Sequence, residues 1–268
     1  MKFKPNFNIP SEKKLISYFI KHGIFKNQNE TKLLKKINNP FSDEHITRKK
    51  IKQFGPELDD LYRLNQIVIK YKRVTILEFG IGWSTKIFAN ALLYNKDRYI
   101  NKVKKLRFNN PFELHAVDNF NNYISSTKKI LNHSENAVTN IKFSPVLMTK
   151  FNGRICTEYK KLPLINPDLI YLDGPSLFNV KGDINGISTA HPDFMPMSCD
   201  ILKIESFLKP GTIIIIDGRT SNYRLLLNNL QRNWIAIENF KHDQYFLILD
   251  ERPLGRLNRE QIKFHYST

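Results

Sequence analysis

Short apolar runs that end in an acidic residue recur from residue 74 onward. Four of them are residues 74–77 before Glu78, 112–117 before Asp118, 168–172 before Asp173 and 212–216 before Asp217. The runs lack the strict alternation of a half-exposed strand, so they predict strands that are buried on both faces. A weaker run at 145–148 is interpreted as a further strand, the third in chain order. Helical patterns at 85–93 and 200–208 separate several runs, which predicts a doubly wound, mostly parallel α/β sheet.

The last two apolar runs have a different connection. Residues 234–240 and 244–250 are joined only by Lys241, His242 and Asp243. A connection this short cannot hold a crossover helix, so the two strands must form an antiparallel hairpin. The sequence therefore predicts a parallel sheet that finishes in an antiparallel C-terminal hairpin.

Residues 1–55 are polar and are interrupted by prolines. Apolar residues recur at helical spacing at 15, 16, 19 and 20, and again at 33, 34 and 37. We expect an N-terminal helical extension over 1–55 that packs on the main domain. The main domain is predicted to cover 56–268, beginning with a helix after Pro56.

Composition and charge limit the classes of protein. The chain has 268 residues, of which 41% are hydrophobic, enough for one large core. No membrane span, signal peptide or cysteine framework is evident, which favours a cytoplasmic location. The net charge of +17 attracts polyanions such as nucleic acid, although lysines are frequent throughout the chain. Their densest group, between Lys96 and Arg107, is interpreted as a basic insertion that forms a solvated surface loop, with an anion-binding edge as the alternative.

A glycine-containing turn follows the first strand, in the segment ILEFGIGWST that ends at Thr85. Gly80 and Gly82 allow a tight turn and a close approach of the backbone to a ligand. Glu78 offers a carboxylate to a cationic or amine-bearing ligand, and Ser84 or Thr85 can cap the next helix. The third glycine of the dinucleotide-binding pattern is absent.

An acid at the end of the second strand commonly binds the two hydroxyls of a ribose. Asp118 holds this position, 40 residues after Glu78 instead of the usual separation of about 20. The basic insertion accounts for the excess. The alternative is that Asp118 and Asn119 only begin a turn, and we favour the ribose role.

The segments LEFGIGWST, VDNF and DLIYLDGP, together with the hairpin, resemble class I S-adenosylmethionine-dependent methyltransferases over residues 56–250. The resemblance implies a Rossmann-like seven-stranded sheet and S-adenosyl-L-methionine as cofactor. It places Glu78, Gly80 and Gly82 beside the methionine moiety and Asp118 at the ribose. The implied cofactor-binding residues are Glu78, Gly80, Gly82, Trp83, Ser84, Thr85, Asp118, Asn119, Asp173 and Gly174. The DGP variant is most similar to bacterial small-molecule and sugar-pathway enzymes.

Two acids are predicted to share the crevice at the carboxyl edge of the sheet. Asp173 and Asp217 end neighbouring strands, and either is a candidate general base. Related catechol-type enzymes bind a divalent metal through such a pair followed by Asn. Gly218 stands at that place here, and Asn222 is an uncertain substitute, so the sequence does not favour a metal.

Two further residues are candidates for catalysis or substrate binding. His191 lies in the irregular segment 177–199 and is either a base or a surface histidine. Arg219 is either a ligand for an anionic substrate group or a salt-bridge partner of Asp217.

The sequence therefore predicts methyl transfer from S-adenosyl-L-methionine to a small-molecule hydroxyl or amine acceptor, with a sugar as one option. An RNA methyltransferase that uses the basic surface is one alternative, and a non-catalytic binding protein of the same fold is another. The acceptor, the oligomeric state and the residue that contacts adenine stay open.

Overall fold

The computed structural model describes residues 3–27, 57–191 and 193–267. Three features of the sequence lie outside these ranges, namely the expected helical spacing at 33–37, the predicted domain boundary at 55/56, and Pro192. The predicted division into two domains therefore stays a prediction. The ten described strands are β1 (Thr75–Phe79), β2 (Glu113–Asp118), β3 (Thr139–Phe143), β4 (Val146–Phe151), β5 (Arg154–Tyr159), β6 (Leu169–Leu172), β7 (Val180–Lys181), β8 (Ile213–Asp217), β9 (Trp234–Asn239) and β10 (Gln244–Leu249).

Eight α-helices lie among the described residues. They are α1 (Glu12–Lys21), α2 (Leu58–Lys70), α3 (Trp83–Lys105), α4 (Asn121–Ile130), α5 (His133–Ala137), α6 (Asp200–Ile204), α7 (Thr220–Leu227) and α8 (Arg256–Tyr266). Short 3₁₀ turns follow α6 at Glu205–Phe207 and β9 at Phe240–His242. No helix in the described part of the chain is both long and apolar enough to span a bilayer.

Seven strands form the main sheet in the order β3-β2-β1-β6-β8-β10-β9. Neighbouring strands are parallel from β3 to β8, whereas β10 is antiparallel to both β8 and β9. This confirms the predicted mostly parallel sheet with an antiparallel hairpin, and it is the fold that the resemblance implies. Since β2, β1, β6 and β8 are adjacent and parallel, their carboxyl ends meet at one edge.

The strand predicted at 145–148 is present as β4, but its predicted place as the third strand of the main sheet is wrong. The third strand of the main sheet is β3, and β4 belongs to a separate three-stranded sheet in the order β5-β4-β7. β3 lies at the edge of the main sheet and is largely accessible, with polar residues at Thr139, Asn140 and Lys142. An edge strand of this kind needs no continuous apolar run, so the sequence pattern did not reveal it.

The interpretation of 96–110 as a surface loop is also wrong for most of its length. Residues up to Lys105 continue α3, which has 23 residues. Val103 and Leu106 are buried there with Phe112 and Phe264. The cations in the last turn of α3 complement its negative C-terminal end, which is one physical reason for their concentration.

Helices cover both faces of the main sheet. On one face, α1, α2 and α3 contribute Phe19, Leu64 and Phe88 to a core with Ile215 of β8. On the other face, α6, α7 and the small sheet bury a second cluster that includes Cys156 and Leu226. The N-terminal segment therefore adds side chains to the same core as the sheet.

Replacing Phe19 with Ala tests whether α1 stabilises the whole domain. Phe19 is fully buried and packs edge-on against Phe25. We expect the variant to lose about 3–5 kcal/mol of unfolding free energy, because a buried Phe leaves a cavity. The control is Phe207→Ala, at an exposed phenylalanine, where a change within about 0.5 kcal/mol is expected. Equal urea midpoints for the two variants would show that α1 is dispensable.

Candidate active site

Four carboxyl groups meet at the carboxyl edge of the main sheet. Glu78 lies in β1, Asp118 and Asp217 end β2 and β8, and Asp173 follows β6. Each of them has a raised pKa, and burial is the largest cause in every case. Asp173 raises the pKa of both Glu78 and Asp217 through charge repulsion. Asp173 and Asp217, which the sequence predicts to share one crevice, are thus close enough to interact.

Glu78 is the most deeply buried of the four. Its side chain is fully inaccessible to solvent, and Oε1 accepts a hydrogen bond of 2.6 Å from the hydroxyl of Ser84. Oε2 is buried and has no hydrogen-bond partner among the described residues. Burial raises the Glu78 pKa to about 8, and the Ser84 hydrogen bond opposes this shift. At neutral pH the carboxyl group is therefore mostly protonated and keeps an unused acceptor oxygen.

Asp118 ties the end of β2 to the glycine turn. Its Oδ2 accepts from the backbone N–H of Ile81 at 3.0 Å, and its Oδ1 accepts from that of Phe120 at 2.7 Å. The predicted turn-forming role is thus present in the structure. Burial raises the Asp118 pKa to about 6, although these backbone donors oppose the shift. A carboxylate oxygen accepts more than one hydrogen bond, so these contacts leave capacity for ribose hydroxyls.

Two glycines let the β1 and β6 turns touch. Gly80 has a positive φ of 84°, and a Cβ on Gly80 would lie 2.7 Å from the carbonyl oxygen of Asp173. A Cβ on Gly174 would lie 2.4 Å from the Gly80 nitrogen and 2.7 Å from the hydroxyl oxygen of Tyr159. The immediate role of both glycines is this backbone-to-backbone approach. It sets Asp173 beside Glu78.

The other predicted cofactor-binding residues at this turn organise the start of α3. The Gly82 N–H donates to the Thr85 hydroxyl at 3.1 Å, which satisfies one of the free donors at the helix N-terminus. Trp83 is partly buried and packs edge-on against Phe25 of the N-terminal segment. The indole therefore joins the turn to the core below it.

Asn119 fastens the loop that follows Asp173. Its Oδ1 accepts from the backbone N–H of Ser176 at 2.8 Å. The side chain is buried. The amide thus holds the end of β2 and the 173–176 loop at a fixed separation.

Arg219 clamps that loop from the other side. Its guanidinium donates to the backbone oxygens of Asp173 at 2.9 Å and Pro175 at 3.0 Å. Its Nε lies 3.6 Å from a carboxylate oxygen of Asp173. The acidic partner of Arg219 is therefore Asp173 and not Asp217. These backbone bonds occupy much of the guanidinium that was predicted to bind substrate.

Asp173 is the most exposed of the four acids. About half of its side chain, 54%, is accessible to water. Protein atoms nevertheless crowd around it closely enough that desolvation raises its pKa to about 6, against the opposing charge of Arg219. An accessible carboxylate in a desolvated setting is well placed to contact a small ligand.

Asp217 is held by residues that the sequence did not single out. The buried Tyr171 hydroxyl donates to Asp217 Oδ2 at 2.7 Å. Gln244 pairs with Asp217 across β8 and β10. Burial and Asp173 raise the Asp217 pKa to about 7, whereas Tyr171, Gln244 and Arg63 oppose the shift. A general base with this pKa is matched to neutral pH.

Behind Gln244 lies a buried cation, Arg63 of α2. Its Nε donates to Gln244 Oε1 at 3.2 Å, and its NH1 contacts Asp59 at 3.0 Å and His242 Nδ1 at 2.8 Å. Its NH2 forms an ion pair with Asp60. Asp59, Asp60 and His242 are the one group of described residues with spacing suited to a metal. The Arg63 guanidinium already contacts all three, and the two carboxylates neutralise its charge.

The contacts that the structure gives His191 are all with residues close to it in the chain. Its Nδ1 accepts from the backbone N–H of Asp193 at 3.1 Å, and its ring packs against Phe194. The side chain is about half exposed. These contacts are those of a surface histidine in a turn, and its predicted role as a base stays untested.

No family model matches the chain, and no curated protein matches it significantly. A Podospora anserina methyltransferase, PaMTH1, bound to SAH, has a similar structure with a TM-score of 0.42 and 10% identity over 92% of this chain and 99% of its own. The O-methyltransferase TomG from Streptomyces achromogenes, in complex with SAM, scores 0.39 with 11% identity over 89% and 96%. An O-methyltransferase from Bacillus cereus with SAH scores 0.39 with 10% identity over 89% and 97%. The fold rests on the strand order above, and the function must rest on the site.

The raised pKa of Glu78 predicts how stability depends on pH. The folded state retains a proton up to about pH 8 that the unfolded chain loses near 4.5. The unfolding free energy should therefore fall as pH rises from 6.5 to 8.5, where the unfolded state binds fewer protons. In Glu78→Gln, which keeps an acceptor for Ser84, the fall should be smaller. Glu57→Gln, at an exposed residue, should keep the wild-type slope in urea titrations. Identical slopes in all three proteins would contradict the burial of a protonated Glu78.

Proposed function

We propose that the protein is an S-adenosyl-L-methionine-dependent methyltransferase that acts on a small-molecule acceptor. The observation that carries the proposal is the unpartnered, fully buried oxygen of Glu78 beside the glycine turn. Leaving a buried polar atom unsatisfied is costly, so such an atom is a candidate ligand contact. Its position at the carboxyl edge of a doubly wound sheet is where ligands bind in this class of fold.

The charge of the cofactor suits the four acids. S-adenosyl-L-methionine carries an ammonium group and a sulfonium, and both are cations. Desolvation raises the pKa of every carboxyl group at this edge, and repulsion by a neighbouring acid adds to the shift for Glu78, Asp173 and Asp217. A bound cation would relieve both penalties by favouring the ionised carboxylates. Glu78 would hold the ammonium group, and Asp118 would accept from the ribose hydroxyls.

The chain has the parts for proton removal from an acceptor. When bound, the cofactor supplies a methyl group that its sulfonium already activates. Asp217 would accept the proton of an acceptor hydroxyl or amine, and Tyr171 holds one of its oxygens in place. Asp173 would contact the acceptor, because about half of its side chain is exposed. Arg219 and Asn119 keep the Asp173 loop in position.

The position of the basic cluster favours a small molecule over RNA. An RNA methyltransferase would need a basic face beside the cofactor crevice. The densest group of cations lies at the C-terminal end of α3, whose N-terminal end forms the glycine turn. A helix of 23 residues is about 35 Å long. The cluster begins at Lys96, 13 residues after Trp83, so it starts about 20 Å along the helix from the glycine turn. The proposal includes a sugar-type acceptor and a cytoplasmic location. The two free cysteines support the cytoplasmic location.

Cofactor binding should release a proton at pH 7. Glu78 is mostly protonated before binding because its pKa is about 8, and an ammonium group in contact with it would favour the ionised form. Calorimetric titration with S-adenosylhomocysteine, which carries the same ammonium group, should therefore give enthalpies that depend on the ionisation enthalpy of the buffer. We expect a release approaching one proton, which disappears in Glu78→Gln.

The control for this titration is Asp97→Asn, at an exposed residue of α3. It should bind and release the proton like the wild type. Absence of binding at millimolar ligand would contradict the proposed function. Binding without proton release would place the ammonium group away from Glu78.

Asp217 should titrate near neutrality. Nuclear magnetic resonance of carboxyl-labelled aspartate should show one side chain with a pKa of about 7, and its signal should vanish in Asp217→Asn. Methyl transfer should rise with pH through the same value, because only the ionised form accepts a proton. A normal aspartate pKa for Asp217 would remove it as the base at neutral pH.

A further inference from the structure

A cavity lies on the face of the main sheet that α7 covers. It is an open groove of about 530 Å³ between the start of β5 and one side of α7. Ile155, Met197 and Leu225 provide its apolar lining, and Arg154 and Arg224 provide two cations. Its volume lies within the range of small-molecule sites. None of the roles proposed above involves these residues.

The charged residues that line the groove are all cations. No acidic residue is among those that line it. Among the ion pairs of the described residues, none includes Arg154 or Arg224. Arg154 and Arg224 are both exposed, so their guanidinium groups are accessible to a ligand in the groove. An anion bound there would be attracted by both positive charges.

One of these arginines is held in place. Arg154 NH1 donates to Asn229 Oδ1 at 2.9 Å. Asn229 is itself buried, and its Nδ2 donates to the backbone oxygen of Leu225 at 2.7 Å. The buried amide therefore fixes the direction of the guanidinium. Since Arg154 makes no other side-chain hydrogen bond within the described residues, its remaining N–H groups are available to a ligand.

The groove is separate from the four acids. Tyr159, at the end of β5, approaches Gly174, whereas Arg154 lies five residues earlier at the start of that strand. Five steps along a strand cover about 17 Å. An anion at Arg154 would therefore lie far enough from the carboxyl groups to avoid strong repulsion by them.

We propose that this groove binds a phosphorylated small molecule. A phosphoryl group carries up to two negative charges and matches the forked donors of guanidinium groups, which bind it through paired hydrogen bonds. The apolar lining would contact the carbon skeleton of the same molecule. A nucleic acid would instead need a row of cations along an extended track. The site does not depend on methyl transfer.

Titration with inorganic pyrophosphate at constant ionic strength tests this assignment. Amide resonances of the wild-type protein should shift in a saturable manner at Ile155, Leu225 and Asn229. The variant Arg154→Gln with Arg224→Gln should bind about tenfold more weakly for each charge-assisted hydrogen bond that the substitutions remove. The matched control, Arg252→Gln with Arg256→Gln, removes the same charge from exposed positions near the C-terminus and should bind like the wild type.

Three results would overturn the proposal. The first is the absence of saturable shifts in the groove of the wild-type protein. The second is equal pyrophosphate affinity in the two double variants. The third is a single-stranded oligonucleotide that binds more tightly than pyrophosphate with the same dependence on both arginines, which would make the groove part of a nucleic-acid surface. Because the titration needs no cofactor, its failure would leave the proposed methyl transfer unaffected.

Discussion

Carboxyl groups crowded into a desolvated edge are the constraint on which the candidate site depends. The parallel order of β2, β1, β6 and β8 brings their ends together. Burial removes water from Glu78 and Asp118, and crowding by protein atoms disfavours the ionised forms of Asp173 and Asp217 as well. The protein accommodates this by raising their pKa values, from about 6 for Asp118 to about 8 for Glu78. Carboxyl groups that are protonated in the free site can release their protons when a cationic ligand binds.

The backbone makes this crowding possible. Gly80 and Gly174 touch at distances that no side chain would permit, so the turns after β1 and β6 lie against each other. Arg219 and Asn119 then hold the β6 turn from opposite sides through backbone hydrogen bonds. Several residues that a sequence motif would assign to ligand binding thus act first on the protein itself. Their contribution to a ligand comes from the surfaces they position.

The strands that could be predicted have strong local patterns in the sequence. Buried parallel strands require continuous apolar runs, so β1, β2, β6 and β8 and the acids that follow them were evident from the sequence. The edge strand β3 has no such run because water reaches it. The final turns of α3 are so basic that they resembled a loop. These two errors share a cause, since exposed positions carry little information about the backbone.

Long-range partners had no local signal at all. Arg63 and Gln244 are 181 residues apart in the chain and meet only because α2 packs near the start of β10. Tyr171 lies within the apolar run of a buried strand. Only the fold shows that its hydroxyl reaches Asp217. The environment that sets the pKa of the candidate base was therefore outside the reach of sequence reasoning. The position of Asp217 itself could be predicted from the apolar run that precedes it.

The most direct test of the central claim is a crystal structure of the protein soaked with S-adenosylhomocysteine. The account predicts electron density across the carboxyl ends of β1 and β2, with the ammonium group in hydrogen-bond contact with Glu78 Oε2 and the ribose hydroxyls at Asp118. Density at another place, or a Glu78 oxygen that stays unpartnered in a fully occupied complex, would contradict it.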